Sequence, residues 1–194
     1  MLSDRKKEER NLRKQQIIEG ALKVFNDVGI EKTTMDEIAI ESGFGKATLY
    51  YYFTSKDEVF VEIMEQGWKK LWEGIESRIV EEVGPKVKFM GIVKKMGNIV
   101  TGDKILYGFL FTAPNYIQET QKQTWKTYQE RLYSILQSII EDGIKKKEFV
   151  DLNPGLLMKA IGGLFHQLLI SNNEELKEND FEIMLKNFLN PNNV

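Results

Sequence analysis

Apolar residues along this chain recur every three or four positions, which is the period of an amphipathic α-helix. The first such stripe runs through residues 10–28 and stops at Gly29, a residue suited to the left-handed backbone that ends many helices. A longer stripe begins after Ser55 and continues to residue 79. No segment alternates apolar and polar residues between hairpin turns. The pattern therefore predicts an all-α protein of eight or nine helices.

Short polar signals mark where these helices begin. Thr34 with Glu37, and Ser55 with Glu58, have the spacing of capping boxes, and Asn153 precedes a proline that suits the first turn of a helix. The predicted helices cover residues 10–28, 35–41, 46–53, 55–79, 86–100, 104–112, 116–142, 154–170 and 180–189. We divide the chain into three short helices (1–54) and a larger helical bundle (55–194) without a flexible linker between them.

Composition excludes several kinds of functional site. The chain has 194 residues, of which 42% are hydrophobic and 29% are charged, so a packed core is expected. It has no cysteine and a single histidine, His166, which excludes disulfide scaffolds, thiolate metal sites and histidine-based triads. The inward Glu-x-x-His pairs of a metal-binding bundle are also missing. We therefore expect no enzyme activity, no metal and no cofactor.

The sequence also predicts a cytoplasmic protein with no membrane partner. The charged N-terminus is not followed by the apolar segment of a signal peptide. The most apolar stretch, residues 156–170, contains Lys159, His166 and Gln167 and is too short and polar to span a bilayer. The formal net charge of −2 does not by itself indicate nucleic acid, so such a partner must be inferred from local sequence.

Residues 33–53 have the length and punctuation of a helix-turn-helix. A two-turn helix meets a turn in which Gly43 can take the positive φ of a sharp bend, and a second helix follows. The side chains predicted to point inward are Ile38, Ala39, Phe44, Leu49 and Phe53. Those left outward on the second helix are Lys46, Ala47, Thr48, Tyr50, Tyr51 and Tyr52. Hydroxyl and ammonium groups in this pattern suit the phosphates and base edges of DNA.

The same block resembles the TetR/AcrR family of bacterial transcriptional repressors. The family pattern T-x-x-x-I-A is matched by Thr-Met-Asp-Glu-Ile-Ala at 34–39. The pattern A/S-G-V-S-K-G-T-L-Y-x-H/Y-F is matched by Ser-Gly-Phe-Gly-Lys-Ala-Thr-Leu-Tyr-Tyr-Tyr-Phe at 42–53, and Thr-Ser-Lys-Asp-Glu-Val follows at 54–59. Gly45 replaces the usual serine and so lacks a hydroxyl for phosphate. The resemblance covers residues 10–63 and implies a DNA-binding domain followed by a helical domain for ligand binding and dimerisation.

By position, the resemblance implies a set of DNA-contacting residues. They are Thr33, Thr34, Gly45, Lys46, Ala47, Thr48, Tyr50, Tyr51, Tyr52 and Lys56. Within this set, Lys56 is expected to hold a phosphate at the start of the fourth helix. The alternatives are packing for the tyrosines and a solvated surface for the lysines. A basic arm precedes this block and either follows DNA or is solvated, because nearby acids offset half of its charge. The arm consists of Arg5, Lys6, Lys7, Arg10, Arg13 and Lys14.

The larger bundle is rich in aromatic residues and methionine, which build either a solid core or an apolar pocket. The candidate pocket residues are Met64, Trp68, Phe89, Met90, Phe109, Tyr116, Trp125 and Tyr128. The resemblance implies a dimer interface on the last two helices, with candidates Gly162, Gly163, His166, Leu169, Phe181 and Leu185. The two glycines indicate close backbone approach or a local kink. His166 suits an interface, the core or a ligand contact.

These features predict a homodimeric, ligand-responsive transcriptional regulator that acts as a repressor. It would bind a palindromic double-stranded operator and leave it when a small, largely apolar effector binds. A DNA-binding nucleoid or division factor of the same fold, with a filled bundle and no inducer, is the alternative. Only the first function predicts strong thermal stabilisation by a small molecule.

Overall fold

The computed structural model describes residues 4–113, 116, 124–167 and 178–189, and within these ranges all regular structure is helical. The helices are α1 (Asp4–Val28), α2 (Met35–Glu41), α3 (Lys46–Tyr52), α4 (Lys56–Ile79), α5 (Pro85–Gly102), α6 (Lys104–Thr112), α7 (Thr124–Lys145), α8 (Pro154–Phe165) and α9 (Glu178–Leu189). The all-α prediction is therefore confirmed. None of the helices described is both long enough and apolar enough to cross a membrane.

The polar signals in the sequence account for several helix ends. Gly29 has a φ of +83°, the left-handed conformation expected after α1. At the start of α2 the capping box is complete, because the Thr34 hydroxyl accepts from the Glu37 N–H and the Glu37 carboxylate accepts from the Thr34 N–H. The signal before α4 is met only in part. Ser55 accepts from the Glu58 N–H, but the Glu58 carboxylate accepts from the N–H of Thr54.

Three predicted boundaries were wrong. The helix α1 begins at Asp4 instead of residue 10, so the basic arm forms its first turns. The helix α7 continues through Gly143 to Lys145, because this glycine makes room for the ring of Phe149 rather than ending the helix. Tyr116, the predicted start of α7, lies outside a helix. The predicted end of α8 at residue 170 lies outside the described residues.

One apolar core joins α1, α2 and α3 to the bundle; α1, with 25 residues, is long rather than short as the sequence predicted. The ring of Phe25 on α1 stacks on Phe109 of α6, with centroids 5.7 Å apart and an angle of 8° between the planes. Phe60 of α4 meets the same Phe109 ring edge-on at 5.8 Å. Each buried side chain of this size contributes roughly 1.5–3 kcal/mol. The α6 helix is thereby held against α1, which itself packs on α2 of the helix-turn-helix.

Candidate nucleic-acid interface and apolar cavity

A close helix approach and a tight turn fix the position of α3. A Cβ on Gly20 would lie 2.9 Å from the Cα of Ser42, so α1 can approach the turn only because it carries glycine there. Gly43 has the predicted positive φ of +74°. The Ser42 hydroxyl donates to the carbonyl of Ile38 at 2.6 Å and ends α2. Sequence reasoning missed Gly20, although a glycine inside an apolar stripe is a usable signal of close packing.

The helix α3 is buried along one face and exposed along the other. Leu49 is fully buried, and Phe53, which follows the helix, is 3% exposed. On the opposite face Tyr51 is 70% exposed and Tyr50 is 50% exposed. The side chains of Lys46 and Ala47 and the backbone of Gly45 are also exposed, whereas Thr48 and Tyr52 are half-buried. The predicted outward surface is therefore accessible to a partner. We call the exposed and half-buried residues between 45 and 52 the α3 face.

Charged groups from α1 and α2 border the α3 face. The ammonium of Lys46 lies 2.5 Å from a carboxylate oxygen of Asp36, and this ion pair raises the pKa of Lys46. The guanidinium of Arg10 lies over the ring of Tyr51, 5.8 Å from its centroid. Tyr51 and Tyr52 meet edge to face at 5.2 Å. Both charged partners were missed from sequence, because neither contact lies within a single helix.

Two residues expected to contact DNA close the loop before α2. The side chain of Thr33 is 2% exposed, and its hydroxyl donates to the carbonyl of Gly29 at 2.9 Å. The ammonium of Lys56 donates to the carbonyls of Ile30 and Glu31 at 2.8 Å, and to that of Thr33 at 3.0 Å. Both side chains thus have intramolecular partners without DNA, and their expected phosphate contacts stay a prediction. We call these three contacts of Lys56 the loop clamp.

Thr34 remains exposed, but its hydroxyl already has a partner. It donates to the Glu37 carboxylate at 2.8 Å and accepts from the Glu37 N–H at 3.3 Å. The hydrogen bonds that the backbone N–H and the hydroxyl of Thr34 donate to the carboxylate lower the pKa of Glu37. The capping box thus fixes the start of α2 and leaves Thr34 exposed rather than inside the core.

A cavity of about 520 Å³ lies between α5, α7 and α8, with one side chain from α6. Its apolar walls are formed by Phe89, Val93, Met96, Phe111, Leu136, Met158, Ile161 and Phe165. Its other lining residues are Tyr133, Gln137, Gly155, Lys159, Gly162 and His166. The volume falls within the range of about 300–1,000 Å³ that is usual for small-molecule sites.

Of the residues predicted to line an effector pocket, Phe89 lines this cavity. The residues that do not line the cavity are Met64, Trp68, Met90, Phe109, Tyr116, Trp125 and Tyr128. Most of them pack in the core; Trp68 and Trp125, for example, are at most 1% exposed. Tyr116 instead donates to a carboxylate oxygen of Asp57 at 3.2 Å, outside the cavity. Burial is the main cause that raises its pKa to about 12. Aromatic composition is the same in a core and in a pocket wall, so it cannot separate the two.

The residues proposed for an interface fall into different environments. Gly162 and Gly163 are exposed, and no atom of the described residues lies within 4 Å of where their Cβ atoms would be. The helix α8 passes through both without ending, and His166 lines the cavity. Leu185 is 1% exposed within the protomer and packs in its core. Leu169 and the side chain of Phe181 lie outside the described residues.

Comparison with known proteins agrees with this architecture. Residues 17–63 match the family model of bacterial regulatory proteins, tetR family. The chain is 26% identical over 174 residues to the uncharacterized HTH-type transcriptional regulator YfiR of Bacillus subtilis, covering 80% of this chain and 83% of that one. It is 23% identical over 136 residues to the fatty acid metabolism regulator protein of the same organism, covering 69% of each chain.

The fold is shared with solved structures at lower sequence identity. The crystal structure of AibR in complex with isovaleryl coenzyme A and operator DNA superposes with a TM-score of 0.81 at 18% identity. That match covers 92% of this chain and 98% of the AibR chain. Residues 17–63 therefore form a domain of the tetR family, and over most of its length the chain is similar to HTH-type transcriptional regulators.

Proposed function

We propose that the protein is a homodimeric repressor that binds a palindromic DNA operator and is released by a small, largely apolar effector. Residues 1–54 would bind DNA, and residues 55–194 would bind the effector and form the dimer. The observation that carries this proposal is the separation of two sites in one chain. An exposed α3 face lies at one end, and a cavity of about 520 Å³ lies in the bundle. An open cavity favours an effector-responsive regulator over a nucleoid factor with a filled bundle.

The α3 face has the size and chemistry to enter the major groove of DNA. Lys46, Ala47, Thr48 and Tyr51 would face the bases, where a lysine can donate to guanine and a methyl group can contact thymine. Tyr50, Tyr52, Thr34 and the backbone at Gly45 would border the groove at the phosphates. Two copies of α3 in a dimer would reach successive major grooves about one helical turn apart, which explains why the operator should be palindromic.

The helix α6 offers a physical connection between the two sites. Phe111 lines the cavity and lies against Phe165 of α8 with ring centroids 6.2 Å apart. Phe109 of the same helix stacks on Phe25 of α1 at 5.7 Å. An effector that moves Phe111 would therefore also move α1 and change the spacing of the two α3 helices. The effector can weaken operator binding only by its differential affinity for the two states, typically about 1–3 kcal/mol.

The DNA-binding part of the proposal is tested with an operator selected from a random-sequence DNA library. We expect the double variant Lys46→Ala/Tyr51→Ala to lose operator binding in a fluorescence anisotropy titration, with circular dichroism and oligomeric state unchanged. Lys95→Ala, an exposed change on α5, serves as the control and should bind as the unmodified protein does. Unchanged affinity of the double variant would remove the α3 face from the DNA interface.

Salt dependence provides an independent check on the docking mode. Each phosphate that a lysine or arginine neutralises contributes about −0.9 to the slope of log affinity against log salt. We expect a steep slope, because each protomer brings Lys46, Arg10 and the rest of the basic arm near the duplex. A flat plot would contradict docking through the phosphate backbone.

A further inference from the structure

All four helices contribute apolar side chains to the cavity. Phe89 and Met96 come from α5, Phe111 from α6, Leu136 from α7 and Met158 from α8, so the wall contains flat rings and flexible chains. Such side chains adapt to a hydrocarbon tail better than to a rigid polar molecule. This part of the cavity therefore selects an apolar group of adaptable shape.

The polar lining residues belong only to α7 and α8. Tyr133 and Gln137 are four residues apart and share one face of α7, whereas Lys159 and His166 share one face of α8. Tyr133 is 45% exposed, and its hydroxyl can donate a hydrogen bond. No carboxylate is found among the described residues that line the cavity, and Lys159 is the lining residue with a permanent charge. The electrostatic character of this edge is positive.

Gly162 leaves a space between the two α8 side chains. Lys159 and His166 are two helical turns apart, or about 10 Å along the axis, and Gly162 lies between them. No atom of the described residues lies within 4 Å of the position that its Cβ would occupy. Within the described part of the chain, neither the ammonium of Lys159 nor the imidazole of His166 has a hydrogen-bond or ion-pair partner. A small anionic group over Gly162 would come within reach of both.

We propose that the effector is an amphiphile with a small anionic head and a hydrocarbon tail, the chemistry of a fatty acid. The proposal rests on the effector role of the cavity given above. The head lies over Gly162 between Lys159 and His166, and the tail lies among Phe89, Met96 and Phe111. Because Lys159 is exposed, its attraction for the head is reduced by solvent and amounts to about fivefold in affinity.

The test compares ligands that differ only in their head groups. Decanoate, decanol and decyltrimethylammonium are titrated by isothermal calorimetry below their micelle concentrations. We expect decanoate to bind about fivefold tighter than decanol, and the cation to bind most weakly. Each methylene added to the carboxylate should strengthen binding by about fourfold until the cavity is full. Equal affinity for the three head groups, preference for the cation, or no binding of any of them would overturn the proposal.

A pair of lysine variants tests the position of the head. Lys159→Met keeps most of the side-chain volume and removes the charge, whereas Lys95→Met makes the same change on the exposed surface of α5. We expect Lys159→Met to weaken decanoate binding by about fivefold and to remove the preference over decanol. Lys95→Met should leave the affinity for decanoate and the preference over decanol unchanged. If both variants weaken decanoate binding equally, the net charge of the protein and not Lys159 selects the ligand, and the proposal would be overturned.

Two further arms separate the sources of the ligand and the two proposals. Decanoyl coenzyme A, in which an uncharged thioester stands next to the tail, is compared with decanoate. Weaker binding of the thioester would support a carboxylate over Gly162, and tighter binding would overturn that position of the head. Operator affinity is then measured with and without decanoate. Binding of decanoate that leaves operator affinity unchanged would support the ligand class and contradict the effector role. If a neutral compound releases the operator and decanoate does not bind, the effector role of the cavity would be supported and the proposed ligand class contradicted.

Discussion

The loop clamp leads to a prediction that separates a structural role of Lys56 from a DNA-binding one. The ammonium of Lys56 donates to the carbonyls of Ile30, Glu31 and Thr33 at 2.8, 2.8 and 3.0 Å. A positive charge at the start of α4 is unfavourable to the helix dipole, so these three acceptors must offset that cost. We expect Lys56→Met to destabilise the protein, because it removes the ammonium group and leaves the three carbonyls without this hydrogen-bond donor.

The expected loss follows from the exposure of the acceptors. A hydrogen bond to a charged group contributes about 1.5–3 kcal/mol. The bond to Glu31 is at an exposed position, whereas those to Ile30 and Thr33 are part-buried, so water replaces some of the lost contacts. We therefore expect a total of about 2 kcal/mol rather than three times the single value. In a chain of this length that loss lowers Tm by about 4–8 °C.

Thermal unfolding followed by circular dichroism measures this change. Lys32→Met, a neighbouring exposed lysine in the same loop, is the matched control and should unfold with the unmodified protein. Operator binding is measured for both variants as a function of salt, well below their Tm. A phosphate contact predicts the opposite result for Lys56→Met, with Tm unchanged and the salt slope reduced by about 1. Equal Tm values for the two variants would refute the structural role.

Three further predictions concern the capping box and two glycines. Because hydrogen bonds from the N–H and hydroxyl of Thr34 lower the pKa of Glu37 below 4.5, the stability they add is present above pH 4.5 and is lost as pH falls through the lowered value. Between about pH 5 and pH 3, the free energy of unfolding measured with urea should therefore fall less in Glu37→Gln than in the unmodified protein. An identical fall in both proteins would contradict this linkage. Gly143→Ala should cost about 1–3 kcal/mol in thermal melts, because the new methyl group overlaps the Phe149 ring, and a Tm at or above the unmodified value would disprove that packing. In Gly163→Ala the new methyl group meets open space within the protomer and favours the helix by about 1 kcal/mol. If Gly163 lies in the dimer interface, the same methyl group should nevertheless raise the dimer dissociation constant in sedimentation equilibrium. An unchanged constant would exclude Gly163 from the interface.

Local features of the sequence predicted local features of the structure. Gly29 and Gly43 have the positive φ expected of them, and the capping box at Thr34 is formed with both of its hydrogen bonds. These predictions succeeded because each depends on the conformation or hydrogen bonds of a few neighbouring residues. The exposed side of α3 followed from the same kind of reasoning, since the buried side is set by the helical period of Leu49 and Phe53.

Predictions that needed contacts between distant segments were less successful. Gly143 was expected to end a helix but instead accommodates Phe149, and both uses of glycine look the same in the sequence. Lys56 fits a phosphate contact by its position in a motif, yet its long side chain reaches the carbonyls of residues 30–33. The Arg10 guanidinium over Tyr51 likewise joins two helices that the sequence does not place side by side.

The amino-acid sequence by itself determined the helical class, the helix-turn-helix and its family, because these depend on period, turn chemistry and a motif that is continuous in the chain. The tertiary structure decided which aromatic side chains fill the core and which line the cavity. Trp68 and Phe89 are equally apolar, and only the packing of α5, α7 and α8 leaves an empty space beside one of them. A cavity is a volume that several helices fail to fill together, so no single segment of sequence can specify it.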